Sequence, residues 1–192
     1  MHLTVITGPM FAGKTTELIR RLKRHRLAGM DTLLFKPTVD NRYDETHAVT
    51  HDGIKMKSIV ARSSKEILEI TERFSDVKVI GIEEAQFFDN GIVEVVRTLL
   101  TRDYTIYIAG LDMDFMGRPF GPMPELLAIA DDVYKLKAVC AVCGADATHT
   151  FKKKRDSLVI EVGGADIYEP RCRKCWYEGR KKQEGQGSLG EA

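Results

Sequence analysis

Residues 8–15 combine glycine, lysine and threonine in a spacing that can hold phosphate groups. They lie between a short apolar run at residues 3–7 and a helical pattern that follows directly. Two glycines permit backbone angles that a β-carbon penalises, so successive N–H groups can turn toward a phosphate. The lysine can place its charge between the outer phosphates, and the threonine hydroxyl can bind Mg²⁺. The pattern predicts a nucleoside triphosphate site made of Gly8, Pro9, Met10, Phe11, Ala12, Gly13, Lys14 and Thr15.

Two adjacent carboxylates, Glu83 and Glu84, follow another apolar run at residues 77–82. A carboxylate at the tip of an apolar strand near a phosphate loop commonly supports Mg²⁺, and we expect Glu83 to do so together with Thr15. The second carboxylate can orient or deprotonate a nucleophile. A solvated surface pair is the alternative, and the apolar residues on both sides of the pair argue against it. The pair therefore indicates a triphosphate-using enzyme with Glu84 as its candidate general base.

Four cysteines, all in the last third of the chain, form two C-x-x-C pairs separated by 28 residues. Clustered cysteines in a reducing compartment bind metal or act in catalysis more often than they form disulfides. Two residues between thiolates let both sulfurs face one tetrahedral ion, and four sulfur ligands leave no open position. A redox dithiol and free structural cysteines are the alternatives. The pattern predicts a structural zinc site with Cys140, Cys143, Cys172 and Cys175 as its ligands.

Short apolar runs alternate with helical patterns over residues 1–137. Strands are predicted at residues 3–7, 32–36, 77–82 and 105–109, and helices after residue 15 and at residues 64–74, 91–101 and 124–130. Strands separated by helices imply crossover connections and a mainly parallel sheet covered on both faces. We therefore expect an α/β fold with a P-loop NTPase-type sheet, whose ligands lie beyond the carboxyl ends of the strands.

The chain changes character after residue 137. Between the cysteine pairs, β-prone runs at 148–151 and 158–162 predict a small ribbon, with residues 152–156 as its turn. The basic run at residues 152–155 is interpreted as a solvated turn rather than a nucleic-acid site. We expect a nucleotide-binding domain at 1–137, a zinc ribbon with a long loop at 138–180, and a disordered tail at 181–192.

Charge is balanced across the 192 residues, with 29 basic and 28 acidic side chains. No global basic field points to a nucleic-acid partner. The apolar runs are far shorter than a membrane span, and the beginning of the sequence lacks the pattern of a secretory signal. We therefore expect a cytoplasmic protein without a membrane or nucleic-acid partner.

Several motifs taken together resemble the type II, zinc-containing thymidine kinases. Besides the phosphate loop and the cysteine pairs, the resemblance involves Asp40-Asn41-Arg42-Tyr43, the acidic pair followed by Gln86-Phe87-Phe88, Leu111-Asp112-Met113-Asp114-Phe115 with Pro119-Phe120, and Gly163-Gly164-Ala165-Asp166 with Tyr168. These motifs extend from residue 3 to about residue 180 in the order of the family. The family usually carries Asp at the position of Glu83.

The resemblance implies transfer of the ATP γ-phosphoryl group to the 5′-hydroxyl of thymidine, giving dTMP. By position, Glu84 would be the proton acceptor, and the ATP site would include Asp40, Asn41, Arg42, Glu83, Glu84, Ala85 and Gln86. Arg42 can also stabilise the transferring phosphoryl group, although a solvated loop arginine is the alternative.

The resemblance also implies where thymidine binds. Phe115 would contact the planar base, although an isolated aromatic residue in a loop is often core filler. A long loop would close over the nucleoside through Val159, Ile160, Glu161, Val162 and Gly163, together with Tyr168. Thymidine kinases of this type are usually tetrameric and are commonly inhibited by dTTP, so both properties are expected here by resemblance.

Two other functions are compatible with the phosphate loop. A nucleic-acid-stimulated ATPase would use its acidic residue to activate water and its zinc ribbon to grip DNA. A non-catalytic zinc-ribbon module would use the phosphate loop only to regulate assembly. The carboxylate pair argues against the second alternative.

Overall fold

The computed structural model describes residues 1–38, 47–49, 55–154 and 163–187. Its strands are β1 (His2–Thr7), β2 (Thr32–Pro37), β3 (His47–Val49), β4 (Lys55–Lys57), β5 (Ile59–Ala61), β6 (Val79–Ile82), β7 (Thr105–Gly110), β8 (Asp132–Lys135), β9 (Ala138–Val139), β10 (Asp146–Ala147), β11 (His149–Lys152) and β12 (Tyr168–Arg171). Its helices are α1 (Lys14–Leu27), α2 (Ser64–Arg73), α3 (Ile92–Thr101), α4 (Met123–Ile129) and α5 (Arg173–Gly187), with a 3-10 helix at Ala85–Phe87. Among these described helices, none has the length and apolar character that a membrane crossing requires.

Six strands form one central sheet in the order β5-β2-β6-β7-β1-β8. Every neighbouring pair in it is parallel. The predicted α/β class with a mainly parallel sheet is thus confirmed. β7 lies between β1 and β6, so the carboxyl ends of these three strands meet at one edge of the sheet. The phosphate loop, the acidic pair and the loop that carries Phe115 begin at those three ends.

Apolar side chains cover both faces of the sheet. One face packs against α2, α3 and α4, and Phe35, Ile80 and Ile106 in its core are fully buried. The other face packs against α1 through Leu18, Ile19 and Leu22. The burial of both faces explains why the strands are continuous apolar runs rather than alternating ones.

The predicted helices agree with α2, α3 and α4 to within one residue at each end. Strand β8 was not predicted. All four of its residues are exposed, and it pairs only with β1 among the described strands. An edge strand with a solvated surface has no apolar run that a sequence pattern could detect.

The ribbon after residue 137 differs from the prediction in its pairing. β11 agrees with the first predicted run, but its antiparallel partner is β12 at residues 168–171. The second predicted run, residues 158–162, lies outside the described residues. β11 and β12 therefore pair across a much longer connection than a five-residue turn.

Residues 181–187, which were predicted to belong to a disordered tail, are helical, because α5 continues to Gly187. Gln183 Nε2 donates to the Lys152 carbonyl oxygen at 3.0 Å, and Arg180 pairs with Glu184 one turn later. Lys, Gln and Glu in this segment are good helix formers, and they extend a helix that is already anchored at Trp176. Residues 188–192 lie outside the described part of the chain.

Candidate functional site

Three residues of the phosphate loop have positive φ angles, two of them the glycines that the sequence analysis singled out. φ is positive at Gly8 (138°), Phe11 (66°) and Gly13 (83°), and α1 begins at the next residue. Lys14 Nζ donates to the Pro9 carbonyl oxygen at 2.8 Å, so its ammonium group lies over the loop. The N–H groups in the first turn of a helix have no acceptor within that helix, so the start of α1 and this ammonium group together favour an anion.

A hydroxyl and a carboxylate meet beside this loop. Thr15 Oγ1 donates to Glu83 Oε1 at 2.7 Å, and the Glu83 side chain is buried. The Glu83 N–H donates to the Phe35 carbonyl oxygen at 2.8 Å, which fixes the carboxylate at the sheet edge. Oxygen donors of these two kinds are the ligands that Mg²⁺ takes alongside phosphate oxygens and waters. The longer Glu side chain therefore still reaches the threonine of the phosphate loop.

Glu84 stands at a sharp turn immediately after Glu83. Its backbone is left-handed (φ 51°, ψ 43°), an uncommon conformation for a residue with a β-carbon, and it caps the 3-10 helix. Gln86 Nε2 donates to Glu84 Oε2 at 2.6 Å. Because the chain turns sharply here, the two adjacent carboxylates make different contacts. Glu83 accepts a hydrogen bond from Thr15 of the phosphate loop, and Glu84 accepts one from Gln86.

Gln86 links this carboxylate to the next strand end. Its side chain is buried, and its Oε1 accepts a hydrogen bond from the Leu111 N–H at 3.0 Å. A β-carbon at Gly110 would lie 2.9 Å from Gln86 Oε1, and one at Gly121 would lie 2.5 Å from the Gln86 carbonyl oxygen. The two glycines thus make the space that Gln86 occupies. Sequence analysis placed Gln86 in the ATP site and missed this bridging position.

The loop between β7 and α4 is held by two buried carboxylates. Asp114 accepts hydrogen bonds from the N–H groups of Met116 and Arg118, and Asp112 forms an ion pair with Lys135 at 2.8 Å. Phe115 directly follows Asp114 and is half-buried. The loop therefore has a fixed shape that presents one aromatic ring.

Lys152 places a cation beside that ring, with Nζ 5.2 Å from the centre of Phe115. It belongs to β11 and is only 3% exposed. The interpretation of residues 152–155 as a solvated turn is therefore wrong for Lys152. All four residues of β11 are buried, so no alternation of apolar and polar residues marks Lys152, and the basic residues that follow it suggest solvent.

The predicted nucleoside loop is only partly described. Tyr168 is buried on β12 opposite Lys152, and its N–H donates to the Gly164 carbonyl oxygen at 3.0 Å. Gly163 is buried as well. Other predicted residues lie outside the described part of the chain: Asp40, Asn41, Arg42, Val159, Ile160, Glu161 and Val162. Ala85, predicted for the ATP site, is fully buried in the core.

The four cysteine sulfurs lie within 4.8 Å of one another. A tetrahedral ion bound at about 2.3 Å from each sulfur would separate neighbouring sulfurs by about 3.8 Å. The Cys143 and Cys172 sulfurs are 3.7 Å apart. Gly144, with φ 75°, closes the first turn by donating to the Cys140 carbonyl oxygen at 2.9 Å. Ligand type, number and spacing therefore fit zinc.

The pKa values of two of these thiols move in opposite directions. Burial raises the pKa of the Cys140 thiol, but N–H donors from Cys172, Cys143 and Val142 outweigh burial and lower it to about 6. The hydrogen bond with the Cys172 sulfur, together with burial, raises the pKa of the Cys175 thiol to about 12. Crowded sulfurs thus resist joint ionisation, and a bound dication would remove that resistance.

The family model described as "Thymidine kinase" matches residues 1–176, which include the phosphate loop, the acidic pair and all four cysteines. The match covers more than half of the chain and agrees with the resemblance seen in its motifs. The chain therefore belongs to the thymidine kinase family, and its four-cysteine cluster fits the zinc-containing type.

Proposed function

We propose that this protein transfers the γ-phosphoryl group of ATP to the 5′-hydroxyl of thymidine. The observation that carries the proposal is the arrangement at the sheet edge, where Thr15 contacts Glu83 at 2.7 Å while Glu84 stands one residue away. Family membership supports ATP and thymidine as the substrates. The phosphate loop suits the triphosphate of the donor, ATP, and the carboxylate of Glu84 suits the activation of an alcohol as the acceptor.

In this reaction the 5′-oxygen forms a bond to the γ-phosphorus as the bond to the β,γ-bridging oxygen breaks, and ADP leaves. Glu84 accepts the proton of the hydroxyl group, and Gln86 holds its carboxylate in place. Lys14 stabilises the charge on the phosphates, and we assign Arg42 the same task. Thr15 and Glu83 would hold Mg²⁺, which supplies charge neutralisation at the β- and γ-oxygens when it is bound with ATP.

We propose that thymidine lies between the Phe115 loop and the segment from Val159 to Tyr168. The half-buried ring of Phe115 supports this position for the base, since an aromatic face suits a planar pyrimidine. The covering segment would exclude water, which otherwise competes for the phosphoryl group.

The remaining expectations are proposals of the same kind. We propose a cytoplasmic homotetramer that dTTP inhibits, with a nucleotide-binding unit at residues 1–137 and a zinc-ribbon unit at residues 138–180. Light scattering would establish the number of subunits. Inhibition by dTTP that competes with thymidine would support the acceptor site as the place where dTTP binds.

A phosphate-transfer screen tests the proposed reaction. Purified protein is incubated with γ-³²P-labelled ATP, Mg²⁺ and each common nucleoside, and a parallel reaction contains single-stranded DNA instead. We expect labelled dTMP from thymidine and little ATP consumption with DNA alone. ATP hydrolysis stimulated by DNA without any labelled nucleotide would favour the ATPase alternative. Absence of product with every nucleoside would refute the proposal.

A further inference from the structure

The phosphate loop rests directly on the four-cysteine cluster. Phe11 and Ala12 pack against a buried apolar group that consists of Ala138, Cys140, Ala147 and Cys175. Two of these four residues are predicted zinc ligands. The middle of the loop is therefore supported by the metal-binding unit.

Phe11 adopts a backbone conformation that depends on such support. Its φ of 66° lies in the left-handed region, which disfavours residues with a β-carbon. Conformations of this kind persist where the surroundings hold them in place. Because glycine occupies the other two positive-φ positions of the loop, Phe11 is the position there where packing must offset backbone strain.

A second connection joins the same two parts through hydrogen bonds. The Met10 N–H donates to Thr150 Oγ1 at 3.1 Å. Trp176 Nε1 donates to the Thr150 carbonyl oxygen at 3.1 Å, and Trp176 directly follows Cys175. The side chain at position 11 thus packs against two predicted zinc ligands, and the backbone at position 10 is linked through Thr150 to the residue that follows one of them.

We infer that Phe11 is a positioning residue that couples metal occupancy of the cysteine cluster to nucleotide binding by the phosphate loop. The four cysteines would hold the metal, whose positive charge would let their crowded thiols ionise together and would keep the surface on which Phe11 packs in place. That surface holds the loop in the conformation that binds phosphate. Thermodynamic linkage then requires the converse, so bound nucleotide must tighten metal binding by the same factor. The inference uses the proposed function only in taking ATP as the ligand of the loop.

Zinc affinity, measured with and without nucleotide, tests this coupling without any turnover. Zinc-loaded protein is titrated with a chromogenic chelator, in the presence and absence of a saturating non-hydrolysable ATP analogue with Mg²⁺. In the wild type we expect the analogue to tighten zinc binding by about tenfold, a typical coupling between two sites. In Phe11→Ala we expect the zinc affinity to be the same with and without the analogue.

Val142→Ala is the matched control. Val142 lies between two predicted ligands and is 59% exposed, so the change also removes apolar bulk near the metal but leaves the support of the phosphate loop intact. We expect this variant to keep the tenfold effect. Titration calorimetry of each zinc-loaded variant with the analogue confirms that nucleotide is bound in every comparison.

Three results would overturn the inference. They are equal zinc affinity with and without the analogue in the wild type, a preserved effect in Phe11→Ala, and an equal loss of the effect in Val142→Ala. Failure of the coupling is distinct from failure of the proposed reaction, because the phosphate-transfer screen measures the reaction on zinc-loaded wild type. If the zinc-loaded wild type did not bind the analogue in calorimetry, both the coupling and the proposed reaction would be refuted.

Discussion

Replacement of Gln86 by leucine separates the carboxylate of Glu84 from its support. The change keeps a side chain of similar size but deletes the 2.6 Å donor to Glu84 Oε2 and the 3.0 Å acceptor of the Leu111 N–H. The Leu111 N–H, which is part-buried, loses its partner, and a buried donor left without a partner costs about 1–3 kcal/mol. The bond to Glu84 contributes less, because that side chain is only half-buried and water can replace the amide.

Together these losses amount to about 3 kcal/mol in the free energy of unfolding. For a chain of this size that corresponds to a decrease in Tm of about 6–12 °C. Catalysis should suffer separately, because a displacement of about 1 Å in a catalytic group can reduce turnover by about 100-fold. We expect kcat to fall by about 10–100-fold, while KM for ATP changes by less than about threefold because the phosphate loop is untouched.

Urea unfolding and initial-rate kinetics at a temperature well below the lowered Tm measure the two effects independently. Asn90→Leu is the matched control, since it makes the same kind of amide-to-alkyl change at an exposed residue four positions further along. Its backbone bond to Val93 does not depend on the side chain. A Gln86→Leu enzyme with kcat within twofold of wild type would refute the role of Gln86 in holding Glu84.

Three further changes test other parts of the site and fold. Glu83→Asp should keep activity within about tenfold of wild type in steady-state kinetics, because Mg²⁺ retains bound waters that can span the missing methylene; a collapse in kcat would show that direct contact with Thr15 is required. Cys172→Ser should reduce zinc in the purified protein well below one ion per chain by metal analysis, since a hydroxyl group is a poor zinc ligand; full zinc content would remove Cys172 from the ligand set. Asp89→Asn should lower the free energy of unfolding at pH 7 by up to about 1 kcal/mol, an amount limited by solvent exposure. Burial raises the pKa of Asp89, but hydrogen bonds from Ser64 outweigh burial and leave the pKa below its ordinary value. The difference in the free energy of unfolding between variant and wild type should therefore be present above about pH 4 and vanish as the pH falls through the lowered pKa. A difference in stability that persists at pH 2 would contradict this cause.

Local patterns were sufficient for much of the fold. The phosphate loop, the buried strands and the helices could be predicted because glycine spacing and apolar runs are encoded within a few residues. The cysteine cluster could be predicted because two residues between thiolates already determine how a pair faces a metal. These features hardly depend on which part of the chain packs against them.

Other features depend on tertiary contacts that no local pattern records. Lys152 is buried because β11 pairs with β12 and faces the Phe115 loop, whereas its sequence neighbours are basic and suggest solvent. The bridging position of Gln86 exists because glycines at 110 and 121, far away in sequence, leave space for it. The contact between Phe11 and the cysteine cluster likewise joins residues more than a hundred positions apart. Each of these three contacts could be predicted only if the arrangement of the strand ends were already known.

The role of Glu84 as proton acceptor is tested most directly by the turnover of Glu84→Gln, measured beside its affinity for ATP. The amide keeps the shape of the side chain but cannot accept the proton, and general-base catalysis commonly contributes about 10²–10⁴-fold. We expect kcat for thymidine phosphorylation to fall by about 1,000-fold while the Kd for ATP stays within about threefold of wild type. A variant that binds ATP normally and turns over at close to the wild-type rate would contradict the role assigned to this carboxylate.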